Sequence, residues 1–200
     1  MSAREQGGAL LPQSDVLLER LRQGDEAAFE TIFHAHYGRV FALAYRLLGS
    51  AQEAEDVAQE VFLRLYLRPL RRGEERNLLG WLLKVATNLA YNAARARRRR
   101  RAREERSMTI ASRDPGPADE ALSMDVARRV RETLARMPER QVQILLLRHA
   151  GLSYAELARA LEIAPGSVGT LLARAEQTFQ RLYREGEEEK SDVQPAPMPR

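Results

Sequence analysis

Along most of this chain the apolar residues return at intervals of three and four and almost never alternate. A three-and-four spacing lines side chains along one face of an α-helix, whereas a half-buried strand needs a period of two. No sustained alternation and no Asn-Gly hairpin signal is present. The predicted fold class is therefore all-α, with the helices burying their stripes against one another.

The punctuation divides this pattern into helices. "SDVLLERLRQG" predicts a short helix entered at Ser14 or Asp15 and stopped by Gly24. Asp25 opens a longer one, whose stripe of Phe29, Ile32, Phe33, His36, Tyr37, Val40, Ala44 and Leu47 ends at Gly49. His36 lies on that stripe and is expected to be a satisfied core residue. Ser50 and Glu53 form a capping-box pattern at the start of a third helix. Its apolar face carries Ala54, Val57, Ala58, Val61, Phe62 and Leu65, and its other face Glu53, Asp56, Gln59 and Glu60; Pro69 and Gly73 break it.

A fourth helix is predicted from near Asn77, with Leu78, Trp81, Leu82, Val85, Ala86 and Leu89 facing inward. Steps of about 100° per residue put Lys84, Asn88, Tyr91, Arg95 and Arg98 together on the opposite face. The stretch "NAARARRRRRAREER" from Asn92 is the downstream end of this helix and holds eight arginines. Arg97 to Arg101 are consecutive and point in all directions, so only Arg95 and Arg98 are in register with Lys84 and Asn88.

Asp114-Pro115-Gly116-Pro117 interrupts regular helix, which predicts two helical domains joined by a flexible linker. The expected division is a flexible segment over 1–13, a helical domain over 14–106, a linker over 107–122, a second helical domain over 123–185 and a disordered tail over 186–200. In the second domain Ser123 is expected to cap a helix reaching Met137, and Pro138 suits the first turn of the next. The linker is short of anchoring hydrophobes, so the two modules are expected to move independently.

"LSYAELARALEIAPGSVGTLLARAEQTFQRL" predicts a short helix, a sharp turn and a longer helix. Ser153 and Glu156 form a second capping box, and small Ala155 and Ala158 are expected to let the helices approach closely. Val168, Leu171, Leu172, Ala175, Phe179 and Leu182 face inward, while Thr170, Arg174, Gln177 and Arg181 face out. A helix-turn-helix of this shape lays its second helix in a DNA major groove. A plain helical hairpin within a bundle would show the same pattern, and the outward face is not strongly basic.

Composition narrows the chemistry. The chain has no cysteine, which excludes disulfides and Cys-ligated zinc or iron–sulfur sites and suits a reducing cytoplasm. "MSAREQGGALLPQSD" has no long apolar core, so no signal peptide is expected, and no apolar run nears the roughly 20 residues of a membrane span. The net charge is only +4, yet arginines crowd 95–106 and acids gather around 53–60, which suggests two kinds of partner. His34 and His36 project about 200° apart on a helix and make no metal pair. No nucleophile, Gly-rich phosphate loop or metal motif accompanies the acids, so no enzyme and no cofactor is expected.

Four segments in order, "GDEAAFETIFHAHYGRVFALAYRLLGS", "AEDVAQEVFLRLY", "WLLKVATNLAYNAARARRR" and "MPERQVQILLLRHAGLSYAELARALEIAPGSVGTLLARA", resemble the extracytoplasmic-function (ECF) sigma factors of bacterial RNA polymerase. The resemblance runs from about Asp25 to Tyr183. It implies a cytoplasmic, non-catalytic initiation subunit with core RNA polymerase and promoter DNA as partners, and a masking anti-sigma factor as a further one. It also implies site residues. Asp56, Gln59 and Glu60 would dock on a coiled coil of the largest polymerase subunit. Lys84, Asn88, Tyr91, Arg95 and Arg98 would open and read the −10 element, with Asn88 at the family's pocket asparagine. Ser167, Thr170, Arg174, Gln177 and Arg181 would meet the −35 element. The chain departs from the family pattern twice: "LRRGEERNLLG" before Trp81 lacks the usual aromatic, and Gly169 and Leu171 stand where a cation is common.

Two other classes remain open on the residues. One is a helix-turn-helix regulator that binds operators as a dimer, although no spare dimerisation helix follows Tyr183. The other is a sigma mimic that sequesters a regulator, although the chain has no room for the receiver domain such mimics carry.

Overall fold

A computed structural model describes residues 14–70, 77–107 and 118–191. The N-terminal segment, most of the loop before Trp81, the middle of the expected linker and the last part of the tail lie outside the described residues. Those that are described form eight α-helices and one 3-10 turn, with no strand among them. The helices are α1 (Ser14–Arg22), α2 (Glu26–Leu48), α3 (Ala51–Leu67), α4 (Leu78–Ser107), α5 (Ala118–Arg136), α6 (Glu139–His149), α7 (Tyr154–Leu161) and α8 (Val168–Ser191); the 3-10 turn is Pro165–Ser167.

Local chemistry sets the helix ends. The Asp25 carboxylate accepts from the amides of Ala27 and Ala28 at 3.0 and 3.3 Å, satisfying donors that the first turn of α2 leaves free. Arg20 donates to the same carboxylate at 2.7 Å and, as the first cause, holds its pKa below the usual range. Gly49 ends α2 at φ +68, in the left-handed region. A Cβ there would lie 2.7 Å from the Arg131 guanidinium carbon, the movable end of a long side chain, so it is the backbone conformation that calls for glycine.

At α3 only half of the expected capping box forms. Ser50 Oγ accepts from the Glu53 amide at 3.3 Å, but the Glu53 carboxylate turns to Arg97, at 2.8 Å. Arg97 also donates to the Leu48 carbonyl at 2.8 Å, so this member of the arginine run binds α4 to the α2–α3 corner rather than facing solvent. The second box is complete: Ser153 Oγ accepts from the Glu156 amide, and the Glu156 carboxylate accepts from the Ser153 amide at 2.8 Å.

Helices α2, α3 and α4 bury Val40, Leu43, Leu47, Val57, Val61, Phe62, Leu65, Leu82, Leu83 and Ala86 between them. Five aromatics spaced four residues apart, Phe29, Phe33, Tyr37, Phe41 and Tyr45, run down α2, and Phe33 meets buried Phe62 at 4.8 Å between ring centroids. The core continues into Leu134, Met137, Val142, Ile144, Leu147, Leu157 and Leu172 of the C-terminal helices.

Several expectations need correction. The two helical blocks, expected to move independently, are in contact: α4 lies against α6 and α7, and α5 against α2 and α4. Ser123 sits inside α5, because Ala118 to Leu122 hold no Gly or Pro to delay the helix. The tail expected from residue 186 is helical through Ser191; Glu185 pairs with Arg181 and Arg136, Glu187 pairs with Arg129, and no proline intervenes. Ala155 is exposed, and the buried alanines of α7 are Ala158 and Ala160. Finally, His36 is half-buried with no hydrogen-bond partner at Nδ1, and burial, then the Arg39 charge, lowers its pKa.

Two outcomes follow from these contacts. Arg97→Met keeps the aliphatic stem and removes both charge-assisted bonds, so urea unfolding should show a loss of roughly 1–3 kcal/mol; an unchanged midpoint would mean that α4 is held by packing alone. His36 binds a proton less readily folded than unfolded, so stability should fall as pH drops through about 6.5, the ordinary histidine value. In His36→Leu the difference between unfolding curves at neutral and mildly acidic pH should shrink; an identical difference would assign it to other groups.

Candidate nucleic-acid interface

The three expected faces belong to different helices and differ in accessibility. On α3 the apolar stripe is buried, which turns Asp56 and Gln59 fully outward. Glu60, beside them, is half-exposed and accepts from Arg64 at 2.7 Å. Leu63, Tyr66 and Leu67 continue the same outward side and are 50%, 44% and 67% exposed, which gives the face an apolar end that sequence reasoning did not include.

On α8, burial of Val168, Leu172, Ala175 and Leu182 leaves Ser167, Thr170, Arg174, Gln177 and Arg181 exposed. Ser167 closes the 3-10 turn, and the remaining four follow at helical spacing. Arg181 is engaged by Glu185 at 2.7 Å. Exposed Arg140 joins Ser167, Thr170 and Arg174 around a cleft at the start of α8. Its sequence position on α6 gave no hint of this, because the cation arrives across the fold. It adds a cation from outside α8 to the one that Arg174 provides.

On α4 the expected residues are not equally free. Arg95 and Arg98 are exposed, and the Arg95 guanidinium lies 5.7 Å from the centre of the Tyr91 ring. Both arginines, with Arg99 and Arg136, line a cleft floored by Tyr91, Met137 and Pro138. Tyr91, expected on the outward face, is 1% exposed, and its hydroxyl donates to the Met137 carbonyl at 2.6 Å. Asn88 is half-buried; its side-chain oxygen accepts from Gln143 at 2.7 Å. Lys84 pairs with Glu162 at 2.8 Å, and the lysine is the first cause of the lowered Glu162 pKa. Trp81, expected in the core, packs half-buried against it.

The partners of this face, Met137, Gln143 and Glu162, lie 46 to 78 residues away in sequence. No local signal marks them, since each side chain is unremarkable on its own helix. Chemically, the α4 and α8 faces offer cations for phosphate, with amides and hydroxyls suited to base edges; the α3 face is acidic and apolar. Among the described residues no group of His, Asp or Glu is arranged to hold a metal, and no helix is long and apolar enough to cross a membrane.

Comparison with known proteins gives matches in the same order. The family described as Sigma-70 region 2 matches residues 32–100, from α2 into the arginine run of α4. Sigma-70, region 4 matches residues 127–179, from α5 into α8. The ECF RNA polymerase sigma factor SigW of Bacillus subtilis (strain 168) is 25% identical over 84% of this chain and 95% of its own length. The ECF RNA polymerase sigma-E factor of Haemophilus influenzae is 30% identical over 82% of this chain and 92% of its own. Among solved structures, the sigma factor RpoE from Bartonella quintana, in complex with the anti-sigma factor NepR, aligns with a TM-score of 0.50 at 22% identity, covering 78% of this chain and 96% of that one; that likeness concerns the fold.

Proposed function

Because the chain belongs to the extracytoplasmic-function sigma factors of RNA polymerase, which direct promoter recognition, we propose that its three faces divide that role among α3, α4 and α8. Asp56, Gln59 and Glu60, with Leu63, Tyr66 and Leu67 beside them, dock on core polymerase. Lys84, Asn88, Tyr91, Arg95 and Arg98 engage the −10 element during strand opening. Ser167, Thr170, Arg174, Gln177 and Arg181, supplemented by Arg140, contact the −35 element. The family's role is non-catalytic, so the chemistry of RNA synthesis stays with the polymerase and the work is done in the cytoplasm. An anti-sigma factor is the further partner we assign, on the precedent of the Bartonella protein.

The observation that supports this reading most is the order of the parts. A region 2 match covers the helices that carry the acidic and arginine faces, and a region 4 match covers the helix-turn-helix. The dimeric regulator gains no support from the matches.

Addition of the full chain to purified core polymerase should give specific run-off transcripts from genomic fragments. Replacing Asp56 and Gln59 with Ala should weaken core binding roughly tenfold, or about 1.4 kcal/mol. Operator binding by the free chain without any transcripts would instead revive the regulator, and unchanged core affinity would move the docking face elsewhere.

Gly169 offers an independent test of the α8 assignment. It is exposed, and a Cβ there would meet only the Tyr154 ring, at an ordinary 3.9 Å. Gly169→Arg should therefore fold and should strengthen holoenzyme binding to a promoter fragment recovered by run-off. The dependence of log K on log salt should steepen by about one unit, one added phosphate contact. An unaltered slope would remove this edge of α8 from the DNA.

A further inference from the structure

Two surface clefts of this molecule balance their charge. One sets Lys84 and Arg140 against Glu139 and Glu162. Another, on the outer side of α8, sets Arg181 and Arg184 against Glu185 and Glu188. The cleft between α4 and the corner of α5 and α6 does not. Arg95, Arg98, Arg99 and Arg136 line it, and Glu139 is the single carboxylate in its wall.

These cations are also uncommitted. Arg97 pairs with Glu53, but no carboxylate among the described residues pairs with Arg95, Arg98 or Arg99. Arg136 reaches Glu185 only at 3.4 Å, and Glu139 accepts from Gln143 of its own helix at 3.3 Å. Like charges three and four residues apart on a helix repel, and Arg95 stands in those relations to Arg98 and Arg99. Packing then brings a fourth guanidinium from α5 to the same place, where a carboxylate would have relieved the repulsion. Guanidinium groups stay charged at any physiological pH, and their N–H forks match the oxygens of a phosphate. The floor is apolar: exposed Pro138 and half-buried Ala135 lie beside Met137, whose carbonyl is fixed by the Tyr91 hydroxyl at 2.6 Å. The cleft measures about 490 Å³, room for a small ligand.

We propose that this cleft binds a small oligophosphate anion, the phosphate chain of a nucleotide or of an inorganic polyphosphate. Arg95, Arg98 and Arg99 hold it from α4, and Arg136 holds it from α5. The site stands whether or not α4 reads promoter DNA; where it does, anion and DNA compete for Arg95 and Arg98. A solvated basic helix would also attract phosphate, through its net charge. Such a helix would not distinguish Arg99 from Arg100, an exposed neighbour in the run that lies outside the cleft, and would not depend on Arg136 at all.

Calorimetric titration of the full chain with inorganic tripolyphosphate, and separately with magnesium-free ATP, tests this at about 0.15 M salt, where diffuse attraction is screened. Each probe should bind at one site per chain. Arg99→Ala and Arg136→Met should each weaken binding roughly two- to fivefold, the scale of one solvent-accessible ion pair, and further in combination. Arg100→Ala should leave the affinity unchanged. Glu185→Gln removes the partner of Arg136 but keeps its charge, so it should bind as well as the parent or better. Equal losses in Arg99→Ala and Arg100→Ala would reduce the binding to diffuse attraction and overturn the site. A loss in Glu185→Gln matching that in Arg136→Met would make the role of Arg136 structural and overturn it as well, as would the absence of binding by both probes. Tighter binding of ATP than of tripolyphosphate identifies a nucleotide, its base against Pro138, as the source of the phosphate chain; equal or weaker binding of ATP identifies an inorganic one.

Discussion

Everything in this molecule depends on how α4 is buried. Its fully buried residues, Leu78, Leu82, Leu83, Ala86, Thr87, Ala90, Tyr91 and Ala94, sweep an arc of roughly 220° at about 100° per residue. A helix lying on a single surface needs an apolar stripe little more than 100° wide. The extra arc is the signature of a helix held between two bodies. α4 packs on α2 and α3 and also on α5, α6 and α7, and Tyr91 donates to the Met137 carbonyl that precedes α6. Thr87, near the Tyr91 end of the arc, returns its hydroxyl to the Leu83 carbonyl at 2.8 Å, so a polar group is buried there with its donor satisfied.

This geometry explains which parts of the fold the sequence disclosed. Caps at Asp25, Gly49, Ser50 and Ser153 are local: the residues that make them lie within a few positions of one another, and their chemistry needs no knowledge of the rest. The inward stripes of α2, α3 and α8 are also local, since each is set by the three-and-four spacing within its own helix. What escaped was everything set at long range. Glu53 matches a capping-box pattern, but Arg97, 44 residues on, offers a guanidinium and takes the carboxylate. The run from Arg184 to Ser191 is charged and short of apolar side chains, which reads as disorder; beside the local Arg181–Glu185 pair, Arg129 and Arg136 of α5 supply counter-charges from outside α8. In each case a local preference was overridden by a partner brought in by packing.

Tyr91 is the sharpest instance at the candidate site. A projection of α4 places it among Lys84, Asn88, Arg95 and Arg98, and that projection is correct as geometry. Tyr91 also sits at the edge of the apolar arc, next to Thr87. A tyrosine suits such a boundary, since its ring can be buried while its hydroxyl finds a carbonyl. The sequence pattern thus locates the face but does not say whether solvent, nucleic acid or the chain's own second half lies against it. Arg95 and Arg98, one and two turns further on, extend past α6 and remain open.

The same division of labour runs through the electrostatics. Eight arginines at the end of α4 could make a strong, indiscriminate nucleic-acid grip. The fold tempers it by turning Arg97 inward to Glu53 and Leu48, by setting Glu162 on Lys84, and by leaving α8 with few cations of its own. Neither half is then arranged to hold DNA firmly alone, since phosphate contacts supply most of the sequence-independent affinity. Specificity would come from using both faces at once, where the short reach of each is multiplied by tethering rather than by charge. Asp56, Gln59 and Leu63 stay exposed on α3, which packs chiefly on α2 and α4, so the acidic face remains accessible while the C-terminal helices cover part of α4.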